Sequence, residues 1–400
     1  MKKEVFFMYN ILTLGDLSSK LKRRMTTQHF TFTEESDEVD AIFVRSAKVP
    51  TTLFSDRLLM IGRAGTGLNT IDVEEATKNG TAVFNTPGVN ANAVKELVLS
   101  CMLHSMRPLK PAIEMVQTLT GDDILEQAEA RRGEFIGEEL EGKTVGILGL
   151  GSIGLQLAKS CHDLGMDVLG YARRTRNEDF FTQVDQLDYL LKRSDFVIIL
   201  LPLTDETRKL INQETLLCMK KEAILLNFGR GEIVDNQAVI DALDEERLRL
   251  YISDFPAKEL LHHPKIRLLP HIGGTTNKAL TDSATTTLRS MRDFLLFGHT
   301  HQAVNFPDVS LPFHAPIRLT LFYKDYPHIF AHLSKLISHF DIEIDILTSD
   351  RKNGYVYTLI DLDEDDFEKV QRLVQAIKNN TDVIRIRTLK NIYWTPTIYL

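Results

Sequence analysis

Up to about residue 95 the chain alternates short apolar runs with amphipathic stretches. The runs AIFVRS (41–46), LLMIGRAG (58–65) and TAVFNTPG (81–88) each close in a polar or glycine-rich turn, the rhythm of parallel strands joined by crossover helices. From Asn92 to about Met115 apolar residues fall at helical spacing, which predicts one helix long enough to bridge two lobes. KTVGILGLGSIGLQLAKSCHDLGMDVLGY (143–171) then reads as a strand, a glycine turn, a helix closed by Gly165 and a second strand. DFVIILLPL, AILLNFG and LRLYISDF predict three more buried strands. After IRLLPHIGG, the pattern over Lys278–Phe297 predicts a long helix that stops at Gly298 and returns the chain to the first lobe. The proline-bearing stretch NFPDVSLPFHAP (305–316) reads as a linker. Beyond it, IRLTLFYKD, PHIFAHLSKLISHF, DIEIDILTSDR, GYVYTLIDLD, FEKVQRLVQAIKNN and VIRIRTL predict β-α-β-β-α-β, a small separate domain.

The turn GLGSIG places Gly149, Gly151 and Gly154 in the G-x-G-x-x-G spacing. Alone the pattern is weak; between a predicted strand and a predicted helix it points to a dinucleotide. Gly149 permits the tight turn, Gly151 lets a pyrophosphate approach the backbone, and Gly154 lets the helix pack on the strand, with the helix dipole facing the phosphates. About twenty residues on, where NAD-binding proteins place Asp or Glu for the ribose hydroxyls, stands Ala172, followed by Arg173, Arg174 and Arg176. Arginines here can pair with a 2′-phosphate; equally, they can be a solvated charge run. Glu178 or Asp179 can still serve the ribose if the loop folds back, so NAD and NADP both stay open.

The fold class that follows is α/β, with two doubly wound parallel-sheet lobes, one Rossmann-like and one flavodoxin-like, plus an α+β domain. The expected divisions are a substrate-binding domain over 1–95 and 278–305, a dinucleotide-binding domain over 96–277, a linker over 306–315 and the small domain over 316–400. Composition narrows the classes further. A formal net charge of −8 with no Lys/Arg tract argues against nucleic-acid binding. No run reaches the length of a membrane helix, and the N-terminal apolar run is too short for a signal peptide. Cys101, Cys161 and Cys218 are far apart, odd in number and in apolar surroundings, which suits buried thiols in a reducing, cytoplasmic compartment and no metal cluster.

Candidate chemistry lies at or just after strands in the same half as the glycine turn: Arg230 in NFGRGEIVD, Asp254 and Glu259 in SDFPAKE, and His271 in PHIGGTT. Oxidising a 2-hydroxy acid needs a base for the hydroxyl proton as hydride leaves, a task a histidine performs near neutral pH. A carboxylate beside it orients the imidazole, and an arginine holds the substrate carboxylate and polarises the nascent carbonyl. Each residue singly also has a dull reading, as a loop histidine, a surface carboxylate or a surface ion pair. In the first lobe Arg45, Lys48 and Arg63 sit in loops after short strands, where cations and amides suit a dianion.

In this order the motifs VRSAKV, GRAGTGLNTID, FNTPGVNANAVKE, GLGSIG, LPLTDETRKLI, NFGRGEIVD, DFPAKE and PHIGG resemble the D-isomer-specific 2-hydroxyacid dehydrogenases over residues 40 to 305. Within them the chain is similar to the branch that oxidises 3-phosphoglycerate to 3-phosphohydroxypyruvate, the entry to serine synthesis. The final β-α-β-β-α-β segment resembles an ACT regulatory domain. The resemblance implies Arg230, Glu259 and His271 as the catalytic trio. For the dinucleotide, NAD or NADP, it implies Thr66, Ser152, Ile153, Leu201, the backbone of Phe228, Gly229 and Arg230, Asp254, and the HIGG backbone from His271 through Gly273 and Gly274, beside the glycine turn and the Ala172–Arg174 stretch. For substrate it implies Arg45, Ser46, Arg63 and Gly65. A homo-oligomer, dimer or tetramer, is implied by the same likeness.

Two departures stand out. Ala172 replaces the acidic residue of NAD-using members, which keeps an NADPH-dependent glyoxylate or hydroxypyruvate reductase as an alternative; a dinucleotide-sensing corepressor-like protein is a third class on the same fold. The ACT-like segment has Asp325, Asp341 and Glu343 where effector sites usually carry small or asparagine-type residues. Carboxylates there would repel an amino acid's own carboxylate, so of the amino-acid effectors the ACT likeness implies, serine is expected to bind weakly or not at all.

Overall fold

The computed structural model describes residues 8–15, 17–25 and 29–393. Contacts divide the chain into two units, Met1–Val89 with Leu280–Leu400, and Asn90–Ala279. The first unit begins with a five-stranded sheet of β1 (Tyr9–Leu14), β2 (Phe30–Thr33), β3 (Ala41–Val44), β4 (Met60–Arg63) and β5 (Ala82–Phe84), in the order β2-β1-β3-β4-β5. Every pairing is parallel. Parallel strands are buried on both faces, so they read as unbroken apolar runs. On one face Ile11, Phe43, Met60 and Phe84 pack with Leu288, Met291 and Phe294 of the helix Asn277–Phe297. On the other, Ile42, Val44, Ile61 and Val83 pack with Ala76 of the helix Val73–Lys78. The long helix comes so close to β4 that a Cβ at Gly62 would lie 2.7 Å from Thr287 Cγ2.

The second unit holds seven parallel strands: β6 (Thr144–Leu148), β7 (Asp167–Tyr171), β8 (Thr182–Val184), β9 (Phe196–Ile199), β10 (Ile224–Asn227), β11 (Leu250–Ser253) and β12 (Ile266–Leu268). Their order is β12-β11-β10-β9-β6-β7-β8, so the winding reverses between β6 and β9, where open α/β sheets bind ligands. The single helix expected from Asn92 to Met115 is instead two, Ala91–Met106 and Leu109–Val116. Pro108 lacks an N–H and disfavours helical φ/ψ at Arg107. The first of these helices belongs wholly to this unit, with Val94, Val98 and Met102 in one core with Leu157, Ala158 and Cys161 of the helix Ser152–Asp163.

The chain ends in β13 (Ile317–Lys324), β14 (Ile344–Lys352), β15 (Tyr355–Leu362) and β16 (Val383–Lys390), an antiparallel sheet in the order β14-β15-β13-β16. Helices Ile329–His339 and Phe367–Asn380 cover one face, burying Leu319, Leu321, Leu333, Ile337, Val370 and Leu373 together. The other face docks on the five-stranded lobe. Phe322, Tyr357 and Leu359 share a core with Phe84, Phe294 and Phe306, and the rings of Phe306 and Phe322 stack 3.8 Å apart.

Buried cations seal the same face. Arg318, 0% exposed, meets Asp361 through Nε–Oδ1 at 2.5 Å and Nη2–Oδ2 at 2.8 Å, and donates to the carbonyls of Phe297, Leu311 and Pro312. Arg387 donates to Phe294 O and Leu295 O, so two arginines of the sheet cap the C-terminal carbonyls of the long helix. The stretch read as a linker is part of this joint, with Phe306, Val309 and Ala315 buried. Its prolines deny regular structure, while its apolar residues fasten it. Among the described residues no helix is long and apolar enough to cross a membrane, no cluster of metal-ligating side chains occurs, and the three cysteines are free thiols.

Candidate active site

In the second unit every candidate residue sits just past the carboxyl end of a strand. Gly149 follows β6 with φ +110°, and a Cβ there would lie 2.9 Å from Leu200 O, so only glycine makes this turn without strain. A Cβ at Gly154 would be 2.0 Å from Gly149 O, whereas one at Gly151 would meet nothing within 4 Å. The first shows why the helix can press on the strand. The second is an open cradle. Gly151 caps the helix Ser152–Asp163 without a side-chain hydrogen bond, so the first N–H groups, at Ser152 and Ile153, are left for an anion. This cradle fits a dinucleotide pyrophosphate.

The neighbouring loops close the rim. A Cβ at Gly229 would lie 2.7 Å from Leu201 O, so the loops after β9 and β10 touch. Asn227, fully buried at the end of β10, holds the loop carrying Arg230: its Oδ1 accepts from Gly229 N–H at 3.1 Å and its Nδ2 donates to Arg230 O at 2.9 Å. The Arg230 guanidinium, half-buried, curls back to donate to Gly229 O at 2.6 Å.

His271 stands after β12 in the left-handed region, φ +56°, a conformation that costs a non-glycine residue energy and persists only where surroundings impose it. Asp254 imposes it. This carboxylate, 2% exposed at the end of β11, accepts from Ile272 N–H through Oδ1 and from Gly273 N–H through Oδ2, both at 2.8 Å. Sequence reasoning placed Asp254 against the dinucleotide and missed this fastening; a lone acid ending the apolar run LYIS is the signal that could have shown it. The imidazole itself is exposed and lies edge-on to Phe255 at 4.9 Å. The expected pairing of His271 with Glu259 is not formed. Glu259 is exposed and accepts from Asn236 Nδ2 at 2.7 Å, and that hydrogen bond holds its carboxyl below the usual range. Glu259 sits on a short 3₁₀ turn, Lys258–Leu260, whose geometry spacing alone does not give.

Past β7, Ala172 is half-buried while Arg173 and Arg174 are exposed. Arg173 is paired with Glu206 at 3.2 Å, and Arg176 turns inward, its Nε buried without a hydrogen-bond partner. Glu178 and Asp179 are exposed.

In the first unit Arg45 and Ser46 follow β3, and Arg63 ends β4. The register sets Val44 opposite Arg63, so the two arginines leave adjacent strands at the same edge of the sheet, beside the reversal between β1 and β3. Arg63 donates to Gly67 O, which folds the GRAGTG loop around its guanidinium; a Cβ at Gly65 would lie 3.4 Å from that group. Thr66 is anchored by Asn85 Nδ2, which donates to its carbonyl at 2.6 Å. Lys48 is exposed.

Comparison with known proteins supplies the rest. Residues 99–273 match the model for the NAD-binding domain of the D-isomer-specific 2-hydroxyacid dehydrogenases. A D-3-phosphoglycerate dehydrogenase of Escherichia coli is 32% identical over 84% of this chain and 82% of its own length. Another, from Methanocaldococcus jannaschii, is 33% identical over 69% of this chain, which spans only 53% of that relative. An NADPH-dependent glyoxylate/hydroxypyruvate reductase from Sinorhizobium meliloti, solved with NADP and malonate, superposes with a TM-score of 0.62 at 25% identity, covering 74% of this chain and 96% of its own.

Proposed function

Since the chain belongs to the D-isomer-specific 2-hydroxyacid dehydrogenases, we propose that it oxidises 3-phosphoglycerate to 3-phosphohydroxypyruvate. The observation that carries this is the set of strand ends: glycine cradle, Arg230 loop and Asp254-pinned His271 all crown one parallel sheet. A bound nicotinamide dinucleotide supplies the hydride acceptor, held by the 149–154 turn and the loops after β9 and β10. His271 takes the hydroxyl proton. Arg230 binds the substrate carboxylate and stabilises negative charge on the forming carbonyl. Glu259 is the carboxylate proposed to orient His271; in this structure its Oε1 accepts from Asn236 Nδ2 instead. In the first unit, Arg45 and Arg63 are the cations proposed to serve a phosphate.

The test is steady-state reduction of 3-phosphohydroxypyruvate, glyoxylate and 2-oxoglutarate with NADH and with NADPH. The phosphorylated acid is expected to be preferred. Reduction of none removes the enzymatic reading and leaves the dinucleotide-sensing one; preference for glyoxylate makes the protein a reductase, the reading Ala172 and its arginines favour.

Cofactor choice is expected to be relaxed or to lean to NADP. Ala172 lacks the negative charge that repels a 2′-phosphate, and Arg174 projects from the loop that follows β7. Ala172→Asp should move the NADP/NAD ratio of kcat/KM toward NAD by about tenfold, as one ribose-binding carboxylate replaces none; an unchanged ratio would show these arginines face only solvent.

A homo-oligomer is supported by exposed apolar residues along the second unit's helices, among them Leu103, Leu109, Ile113 and Leu125. Sedimentation as a monomer would remove it. In the C-terminal domain, proposed as ACT-like, a cavity of about 600 Å³ is lined by Tyr323, Tyr326, Phe330, Leu347 and Val356, with Asp325 paired to Arg351 at 3.4 Å. That ion pair lessens the repulsion expected from Asp325 but leaves its carboxylate in a lining that also includes His328, Ser349 and Arg351. Calorimetry should detect no serine binding in the micromolar range; a micromolar Kd would overturn the expectation.

A further inference from the structure

The loop between β7 and β8 is fastened from beneath by one side chain. Gln183 lies in β8, the edge strand of the seven-stranded sheet, opposite Gly170 of β7. Its amide nitrogen donates to Ala172 O at 3.1 Å and to Arg174 O at 3.2 Å, while its amide oxygen accepts from Arg176 N–H at 2.8 Å. Three backbone groups of a five-residue stretch therefore converge on a single primary amide. Only one orientation of that amide satisfies all three, with two N–H donors facing carbonyls and the oxygen facing an N–H. No other side-chain type of this size does both. A carboxylate would keep the accepted bond and lose both donated ones, and a thioether would lose all three.

The consequence concerns the residues this stretch displays. With the carbonyls of 172 and 174 and the N–H of 176 tied to β8, Arg173, Arg174 and Thr175 remain exposed. The ion pair of Arg173 with Glu206 has both side chains about three-quarters exposed, at 77% and 74%, and such pairs fix little. Gln183 is thus the chief internal fixture of the loop that stands where the adenosine ribose is read. We propose that Gln183 is the positioning residue that sets the choice between NADP and NAD, an assignment that rests on the NADP-leaning reading of this loop.

The physical basis is pre-organisation. A 2′-phosphate gains from the arginines only if the loop is already in place; a loop that must be ordered on binding spends part of that gain. A dinucleotide without the 2′-phosphate does not pair with those arginines and depends less on the fastening. Gln183 acts through the backbone of 172–176 rather than by touching either ligand.

The test is calorimetric titration of the full chain with NADPH and with NADH, for the wild type, Gln183→Met and Gln183→Glu. The wild type is expected to hold NADPH at least as tightly as NADH. Gln183→Met should weaken NADPH binding by about tenfold and NADH binding by less than about twofold, the loss of pre-organisation falling on one ligand. Gln183→Glu, which keeps the side chain's size and the bond from Arg176, should lower the same ratio. Losses equal for the two dinucleotides in both variants, which leave the NADPH/NADH ratio unchanged, mark a purely structural residue and overturn the assignment. A wild type that clearly prefers NADH overturns the cofactor reading itself, and the Gln183 assignment with it.

Discussion

His271→Asn is expected to lower kcat by about 10²–10⁴-fold, the usual worth of a positioned general base, while dinucleotide affinity changes only slightly. Asparagine is the informative replacement because it tolerates the left-handed backbone that His271 adopts at φ +56°. The peptide N–H groups of Ile272 and Gly273 can then stay on Asp254, and the variant loses the imidazole without losing the loop. Single-turnover hydride transfer and NADH titration on the same preparation check it. A kcat within about tenfold of the wild type would remove His271 from the base's role. Parallel collapse of NADH affinity would instead mean that the loop, not the imidazole, had been damaged.

Arg318→Met should destabilise the first unit by about 3–5 kcal/mol, because it leaves the Asp361 carboxylate buried without its partner. Both side chains are essentially inaccessible, at 0% and 1%. Removing both charges together, as Arg318→Met with Asp361→Leu, should cost less than the single change, since the uncompensated charge is gone. It should still cost something, because the carbonyls of Phe297, Leu311 and Pro312 lose their donor. Urea unfolding followed by circular dichroism and by proteolysis of the 305–316 stretch would report it. A single variant within about 1 kcal/mol of the wild type would show that water reaches Asp361.

The joint between the terminal sheet and the first lobe also shows where sequence reading stops. VIRIRTL and IRLTLFYKD alternate apolar and polar residues, the pattern of a strand with one buried and one wet face. In the fold the polar set is buried too: Arg318, Thr320, Asp361 and Arg387 face the lobe, where carbonyls at the end of the helix Asn277–Phe297 receive the arginines. Alternation reveals two different faces, but not that a second surface covers the polar one. The break at Pro108, by contrast, was written in the chain, since proline constrains both itself and the residue before it.

At the candidate site the same division holds. The glycine turn, the strand ends and the residues that follow them were legible because each depends on spacing and on backbone rules local to a few residues. Gly149 needs a positive φ, Gly154 needs room for a helix, and a charged or imidazole side chain after a buried strand is displayed at the sheet's edge. The partnerships were not legible. That Asp254 holds the His271 loop, that Glu259 rests on Asn236, and that Gln183 ties down 172–176 all join residues from different strands or turns. Hydrogen bonds of this kind depend on distances of a few tenths of an ångström between segments whose relative placement the packing sets. By itself the sequence determined the parallel-sheet architecture, the dinucleotide turn and the chemical types available at the strand ends, because periodicity, turn conformation and residue chemistry are local. Only the tertiary structure decided which of those groups hold one another, and which charged residues are buried against a partner surface, because those outcomes depend on contacts the chain makes at long range.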